Sequence, residues 1–343
     1  MMITANRLRR LSSAQAYRVG CRLLFLCAGL NTPVMVWAGD YSDRGAAKQV
    51  IAAAQEAGVD PEWVQQLIDA AERQQSILDA ISRPAEKTKA WYEYRKIFLT
   101  DRRIREGATF WSAHADTLQT VAARTGVPAE LMVAIIGVET YYGRITGSYR
   151  VIDALATLAF DYPRRSTFFT GELEEFLVLA WESGKDALAL KGSYAGAMGY
   201  GQFMPSSYRA YARTYEGGGA PDIWDNPADA IASVGNYLKA HGWRAGEKVV
   251  TDGIADDPDP AVFEGGLKPQ KTVAALALEG LEPTEPLNPA ELATPLWLEE
   301  EDGMRYWLGL QNFYVITRYN HSAMYAMAVW ELSQAIAAVH AGS

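Results

Sequence analysis

The amino-acid sequence predicts a mainly α-helical protein with a small β-containing insertion before its last helix. Apolar residues recur at helical spacing through residues 46–82 and 85–125, and residues 128–142 form a strongly apolar helix. The composition then changes, because residues 246–296 carry much of the Pro, Asp and Gly. With 49% hydrophobic and 21% charged residues, the composition is globular, which excludes disorder, collagen and coiled coil.

Charge and residue counts exclude several classes of protein. The formal net charge of -9 argues against a nucleic-acid-binding protein, which needs a basic footprint. Two cysteines are too few for a disulfide framework. The four histidines lack HExxH spacing, so the sequence predicts no metal site of that kind.

The N-terminus has the layout of a secretory signal peptide, predicted over residues 1–38. Residues 1–22 contain five arginines and no acid, an apolar run follows from residue 23 to 30, and Val36-Trp37-Ala38 offers a small-residue cleavage site. We expect cleavage after Ala38. The alternative is an uncleaved anchor, but the apolar run is short for a span of about 20 residues.

Both cysteines, Cys21 and Cys27, lie inside this segment. Leu26 stands where a small residue normally precedes a lipidated cysteine, which argues against a lipid anchor at Cys27. Removal of residues 1–38 takes away five basic residues and leaves 27 basic against 41 acidic residues, a net charge of -14. We therefore expect a soluble mature protein in an extracytoplasmic space.

The helices before residue 126 are predicted from their start signals and apolar stripes. Pro61 after Asp60 is typical of a first-turn proline behind its capping residue. One apolar stripe in the second helical stretch consists of Trp91, Tyr94, Ile97 and Phe98.

Three features follow in the middle of the chain. Pro128 begins the apolar helix, residues 192–205 are rich in glycine, and residues 206–215 and 227–241 are again predicted to be helical.

The last part of the chain is predicted to contain strands and a final helix. The turn Glu300-Glu301-Asp302-Gly303 separates two aromatic-rich runs, which indicates a β-hairpin. Gln311 to Arg318 is predicted to be a further extended segment, and a helix is predicted from Ser322 to Ala338.

Glu139 is the candidate general acid. It lies on the same helical row as Met132 and Ile136, so its carboxyl points along an apolar face. It also lies in the last turn before Gly143, where the helix dipole disfavours negative charge. Both effects raise a carboxyl pKa, as suits a general acid. The alternative is a buried glutamate paired with a nearby arginine.

The glycine-rich segment from Gly192 to Ser207 is the second candidate. Its sequence is Gly-Ser-Tyr-Ala-Gly-Ala-Met-Gly-Tyr-Gly-Gln-Phe-Met-Pro-Ser-Ser, in which the glycines permit tight turns and close approach of backbone to a ligand. The alternative is a plain connector. Its spacing matches neither GxGxxG nor a P-loop, and no GxSxG elbow indicates a serine hydrolase.

Several motifs together resemble the lytic murein transglycosylase B family. They are the run Ile136-Gly137-Val138-Glu139-Thr140-Tyr141-Tyr142-Gly143, the glycine-rich segment, and Tyr314-Val315-Ile316-Thr317-Arg318-Tyr319-Asn320. Tyr162-Pro163-Arg164-Arg165 and Asn236-Tyr237-Leu238 extend the resemblance over most of the mature chain. Their joint order and spacing are more specific than any single motif.

The resemblance implies a lysozyme-like helical core with a helical N-terminal domain and a small β-containing insertion. The expected divisions are a signal peptide at 1–38, an N-terminal helical region at 39–125, the catalytic core at 126–245, the insertion at 246–310, and a strand and helix completing the core at 311–343. It further implies a periplasmic enzyme that cleaves the MurNAc–GlcNAc β-1,4 bond of peptidoglycan without water and leaves 1,6-anhydromuramic ends.

The resemblance also implies roles for particular residues. Glu139 would be the single catalytic acid and base. The glycan cleft would be lined by Ser193, Gln202, Tyr237, Tyr319, Asn320, Tyr325 and Tyr94. Arg164 and Arg165 would meet the acidic stem peptide, the alternative being an ordinary exposed basic pair.

Two other functions are compatible with the sequence, and calcium is the one cofactor that relatives suggest. A hydrolytic muramidase would cleave the same bond, and a non-catalytic peptidoglycan-binding protein would keep only the fold. Some relatives hold calcium in a loop after the glycine-rich motif, but here residues 214–222 offer only Glu216 among the alternating ligand positions. We therefore expect no cofactor and no tight calcium site, and we make no prediction about partner enzymes of the cell wall.

Overall fold

Short helices form the first part of the chain in a computed structural model that describes residues 40–82 and 89–342. The predicted signal peptide, residues 1–38, lies outside the described residues. The helices before residue 126 are α1 (Gly45–Glu56), α2 (Pro61–Ala70), α3 (Gln75–Ser82), α4 (Trp91–Phe98), α5 (Asp101–Ala113) and α6 (Ala115–Thr125). The predicted start at Pro61 is confirmed, since the Asp60 side chain accepts a hydrogen bond from the Glu62 amide.

A second group of helices follows, and it begins with a largely buried helix. They are α7 (Ala129–Thr140), α8 (Val151–Asp161), α9 (Ser166–Ser183), α10 (Pro205–Tyr211) and α11 (Pro227–Ala240). The predicted helices at 128–142, 206–215 and 227–241 are confirmed, with α10 shorter than expected. Two short antiparallel strands, β1 (Tyr149–Arg150) and β2 (Lys191–Gly192), lead into the glycine-rich loop.

The predicted insertion is a small antiparallel sheet. Its elements are β3 (Val250–Ala255), β4 (Lys271–Thr272), α12 (Val273–Leu278), β5 (Leu281–Pro283), β6 (Leu292–Glu300) and β7 (Gly303–Gly309), and the strand order is β4-β6-β7-β3-β5. Strands β6 and β7 form the predicted hairpin, with Glu300 opposite Gly303. The sheet has its own apolar cluster, which includes Val273, Leu276 and Leu308.

The prediction of an extended segment from Gln311 to Arg318 is wrong. Residues Gln311–Thr317 form helix α13, which is followed by α14 (Ala323–Ala341). The β-branched and aromatic residues that indicated a strand are buried in the helical core, for example Phe313 and Val315. Tertiary packing overrides local strand preference here. The final helix begins as predicted, because Ser322 Oγ accepts a hydrogen bond from the Tyr325 amide.

One apolar core joins the N-terminal helices to the helices that follow them. It extends from Tyr41 to Ile336, and every residue of α7 from Leu131 to Gly137 is buried. The predicted division at residue 125 is therefore not a gap in the packing, and the domain boundaries remain predictions. Within the described ranges no single helix is long and apolar enough to cross a membrane, and α6 with α7 qualifies only as a pair bent by 112°.

Candidate active site

Glu139 lies in the last turn of the buried helix α7. Its neighbours on the same row, Met132 and Ile136, are fully buried, whereas Glu139 itself is partly exposed. Among the ion pairs of the described residues, none includes Glu139, so the alternative of a glutamate paired with an arginine finds no support. The apolar helix therefore holds a largely buried carboxyl that forms no ion pair with a described residue.

A tyrosine 186 residues later in the chain contacts this carboxyl. The Tyr325 hydroxyl donates a hydrogen bond of 2.6 Å to Glu139 Oε1. Burial raises the pKa of Glu139 to about 7, and the hydrogen bond from Tyr325 opposes the shift because it favours the charged form. A carboxyl with this pKa can both give and take a proton near neutral pH.

Two other predicted cleft tyrosines lie close to the same pair. Tyr325 and Tyr94 are buried, and the pKa of Tyr325 is well above its usual value because of burial and then the Glu139 charge, with a smaller contribution from Tyr94. Burial and the Glu139 charge likewise raise the pKa of Tyr319. The Tyr319 hydroxyl donates to the Gly201 carbonyl at 2.6 Å. The structure thus gathers Glu139 with the phenols of Tyr325, Tyr319 and Tyr94.

Tyr237 extends this aromatic group away from Glu139. Its ring centroid lies 4.8 Å from that of Tyr319, edge to face, and its hydroxyl donates to the Arg318 carbonyl at 2.5 Å. Burial raises the pKa of Tyr237 to about 12. The next residue after Tyr319, Asn320, is exposed.

The glycine-rich loop presents Ser193 and Gln202. Ser193 Oγ accepts hydrogen bonds from the amides of Ala195 (3.3 Å) and Ala197 (3.1 Å). Gln202 has a left-handed backbone (φ 50°), and its Nε2 donates to the carbonyls of Thr146 at 3.1 Å and Gly199 at 2.9 Å. Ser193 is therefore held by the loop's own backbone, and Gln202 also ties the loop to Thr146.

Thr140 ties the end of α7 to this loop. Its Oγ1 donates to the Tyr200 carbonyl at 2.8 Å and accepts from the Gly143 amide at 3.0 Å. Gly143 has φ 85°, and a Cβ there would lie 2.1 Å from the Tyr200 ring. The carboxyl of Glu139 and the glycine-rich loop are thus fixed to one another.

Arg164 and Arg165 lie elsewhere, on the short 3-10 helix between α8 and α9. Both are exposed, and the Arg165 guanidinium lies 4.3 Å from the Phe168 ring centroid. No contact found among the described residues joins either arginine to the group around Glu139.

Sequence reasoning missed the turn directly after α7. Tyr141 (φ 53°) and Tyr142 (φ 61°) are consecutive non-glycine residues in the left-handed region, and the Arg103 guanidinium lies 4.7 Å from the Tyr141 ring centroid. Left-handed tyrosines are uncommon and have no clear sequence signal. Arg103 is not part of any quoted motif.

Among the residues that the structure describes, no second carboxylate accompanies Glu139. Within the described part of the chain, the only side chain that forms a hydrogen bond with it or shifts its pKa is Tyr325. Glycosidases usually place two carboxyl groups across the scissile bond. A helical fold that fixes one buried acid beside a glycine-rich loop fits an enzyme that acts on glycans.

Comparisons with known proteins agree with this class. The family model described as "Transglycosylase SLT domain" matches residues 42–334, and the chain belongs to this family. It is 45% identical over 314 residues to the membrane-bound lytic murein transglycosylase B of Escherichia coli, covering 89% of this chain and 86% of the relative.

Solved structures of lytic transglycosylases are also similar to this chain. The catenated lytic transglycosylase SltB1 of Pseudomonas aeruginosa has a TM-score of 0.85 and 48% identity, covering 88% of this chain and 100% of that one. The Escherichia coli Slt35 complex with calcium has a TM-score of 0.81 and 44% identity, covering 91% and 98%. The Pseudomonas aeruginosa SltB3 complex with NAG-anhNAM-pentapeptide has a TM-score of 0.76 and 32% identity, covering 85% and 78%.

The Escherichia coli Slt35 structure contains calcium, and the loop at residues 214–222 here would have to supply oxygen ligands for such an ion. Both carboxylate oxygens of Asp229 accept backbone amides, from Tyr215 and from Asp222, each at 2.8 Å. Asp222 Oδ1 accepts two further amides and lies 3.4 Å from the Lys185 ammonium. Oxygens turned toward N–H groups and a lysine do not fit a calcium ion, which needs six to eight oxygen ligands.

Proposed function

We propose that this protein is a lytic transglycosylase that cleaves the β-1,4 MurNAc–GlcNAc bond of peptidoglycan and leaves a 1,6-anhydromuramic end, in cell-wall remodelling or turnover. The observation that carries the proposal is Glu139, whose pKa burial raises to about 7 and which has no carboxylate partner in the described part of the chain. The names of the relatives support the same reaction.

In the first step, protonated Glu139 gives its proton to the oxygen that links muramic C1 to the next sugar. The C1–O bond breaks, and its electron pair goes to that oxygen. The positive charge that develops at C1 is relieved by the substrate's own N-acetyl group, because the described residues place no second carboxylate beside Glu139.

In the second step, Glu139 acts as a base. The muramic C6 oxygen bonds to C1 as the acetamido oxygen leaves C1 with its electron pair, and the hydroxyl proton passes to Glu139. The acid is thereby regenerated without water. Ser193 supports the positioning of the acetamido group, since its oxygen accepts two amides and its own hydrogen remains for donation. Asn320 is the second candidate for this positioning.

The remaining predicted residues are assigned to substrate binding. Tyr94, Tyr237, Tyr319 and Tyr325 would form the aromatic wall against sugar rings, and Gln202 would shape the loop. Arg164 and Arg165 would meet the acidic stem peptide from their exposed turn. Partners are glycan strands and stem peptides, as the ligand of the SltB3 complex suggests.

The proposed location is the periplasm, reached by a cleavable signal peptide. The extracellular murein substrate and the layout of residues 1–38 support export. Leu26 before Cys27 argues against lipid anchoring. The mass of the N-terminal peptide of the mature chain tests both points.

Zymography on purified sacculi tests the assignment of Glu139. Wild type should clear the gel and Glu139→Gln should not, because a general acid–base group contributes about 10²–10⁴-fold to the rate. Equal clearing by both proteins would remove Glu139 from the mechanism. Sacculus binding without clearing by wild type would instead support a non-catalytic binding protein.

A further inference from the structure

We propose that Arg103, with Tyr141 and the flanking Arg102 and Arg144, forms an additional anion-binding site beside the acid, which takes a carboxylate of the muramoyl unit. The inference rests on the proposed function, because that function supplies the glycan. The carboxylate belongs either to the lactyl group of a peptide-free muramic acid or to the stem peptide, and the experiment below separates the two.

The first supporting observation is an excess of positive charge. Arg102 and Arg144 both bind the carboxylate of Glu106, at 3.0 and 2.6 Å. Arg103 forms no ion pair with any described residue. Three guanidinium groups surround the Tyr141 ring at 4.7–5.8 Å from its centroid, with a single carboxylate between them. Such an excess on a chain of net charge -9 indicates attraction of an anion.

The second observation is the incomplete hydrogen bonding of Arg103. Its guanidinium lies 5.2 Å from the Phe98 centroid and 4.7 Å from that of Tyr141. One nitrogen donates to the Ile97 carbonyl at 2.7 Å, but the buried Nε has no partner. Aromatic rings fix the plane of a guanidinium, and the terminal Nη2, which forms no hydrogen bond with a described residue and is not buried, remains to donate to a carboxylate.

The third observation is backbone strain at the site. Tyr141 and Tyr142 both have positive φ, and the Tyr142 hydroxyl donates to the Arg103 carbonyl at 2.8 Å. Left-handed tyrosines persist only where surrounding contacts hold them, and such strain concentrates at functional sites. Here the strained turn places the Tyr141 ring against Arg103.

The cluster borders the proposed acid. Tyr141 follows Glu139 by two residues. On the other side, the Phe98 ring lies 5.3 Å from that of Tyr94, whose charge interaction with Tyr325 places it near the hydrogen-bond donor of Glu139. The proposal places a carboxylate of a glycan seated at Glu139 within reach of Arg103.

Binding measured in a Glu139→Gln background tests the site without turnover. Calorimetry is performed with peptide-free glycan strands, peptide-bearing strands, peptide-bearing strands with amidated carboxyls, and GlcNAc oligomers. Adding Arg103→Gln should weaken binding of carboxylate-bearing strands about tenfold or more, and binding of GlcNAc oligomers by less than about twofold. Arg105→Gln is the matched control, since it removes the same charge from an exposed position on the same helix and should change every affinity by less than about twofold.

The pattern of affinities identifies which carboxylate the site binds. Weaker binding of peptide-free strands assigns the lactyl carboxylate, and weaker binding of peptide-bearing strands alone assigns the stem peptide. Equal weakening for GlcNAc oligomers, or unchanged binding of all ligands, would overturn the proposal. If Arg103→Gln does not fold, Arg103→Lys keeps the charge and loses the planar fork. It should bind carboxylate-bearing strands several-fold more weakly, and unchanged affinity would contradict the site.

Failure of the anion-binding site can be told apart from failure of the proposed function. If wild type yields anhydro products and Arg103→Gln binds normally, the proposed function is supported and only the anion-binding site is rejected. If wild type cleaves no sacculi, the proposed function is contradicted, whatever the binding data show.

Discussion

The Tyr325 hydroxyl donates a 2.6 Å hydrogen bond to Glu139 and so joins the final helix α14 to the end of the central helix α7. Because the bond favours the carboxylate, it holds the pKa of Glu139 near 7 against the stronger upward effect of burial. Burial and the tyrosine together thereby set the pH range in which Glu139 is a protonated acid.

Tyr325→Phe should move the alkaline limb of the pH–rate profile upward. Wild-type kcat/KM should fall above about pH 7, as Glu139 loses its proton. Removal of a donor to the charged form raises the pKa, by about one unit if the bond contributes 1.5 kcal/mol or more. The measurement is kcat/KM against pH for both proteins. A limb that stays in place or moves to lower pH would show that Tyr325 does not control the acid.

Glu139→Gln should stabilise the protein in mildly alkaline solution. The folded pKa of Glu139 lies above its unfolded value, so the stability associated with protonation is present in acid and lost as pH rises through about 7. At about pH 8 the amide should raise the free energy of unfolding by up to about 3 kcal/mol. At about pH 4 the two proteins should melt together. A melting difference independent of pH would contradict the raised pKa.

Gly147→Ala should destabilise the fold and disturb the loop of Ser193. Gly147 has φ 100°, and a Cβ there would lie 2.0 Å from the Gly192 carbonyl oxygen and 2.4 Å from the Ser193 amide nitrogen. Left-handed backbone and a clash with main-chain atoms together should lower the unfolding free energy by about 2 kcal/mol or more. Thermal melting and sacculus turnover should both fall.

The control for that change is Gly171→Ala in helix α9, where a Cβ meets nothing within 4 Å. Alanine should there stabilise the helix by up to about 1 kcal/mol. A Gly147→Ala protein as stable and active as wild type would show that the loop tolerates a side chain at this close approach.

Calcium should not raise the melting temperature. Asp229 and Asp222 direct their oxygens to backbone amides and to Lys185. A ligand at 100 times its dissociation constant stabilises by about 2.7 kcal/mol, a shift of several degrees. Melting with chelator and with millimolar calcium is the measurement, and a shift of that size would mean that the loop rearranges around the ion.

The sequence alone predicted the elements whose signals are local. The apolar helix with Glu139 in its last turn and the Glu300–Gly303 hairpin both appear where periodicity and turn residues place them. Helix α13 was mistaken for a strand, because its β-branched residues are buried in a helical core.

The contacts of the candidate site were less predictable. The bond from Tyr325 to Glu139 joins residues 186 positions apart, so no local pattern reveals it. The left-handed turn at Tyr141 depends on Arg103 and Tyr142, which meet only in the folded chain. The resemblance implies that Tyr325 lines the cleft, but its hydrogen bond to the Glu139 carboxyl arises only in the folded chain.

The most direct test of the account is the mass of the products released from sacculi in water labelled with heavy oxygen. A single acid–base at Glu139, with the muramic C6 hydroxyl as nucleophile, should give muropeptides with 1,6-anhydro ends, lighter by one water than hydrolysis products and free of the label. Reducing-end muramic acid that carries heavy oxygen would show that water attacks C1, and would make the protein a hydrolytic muramidase.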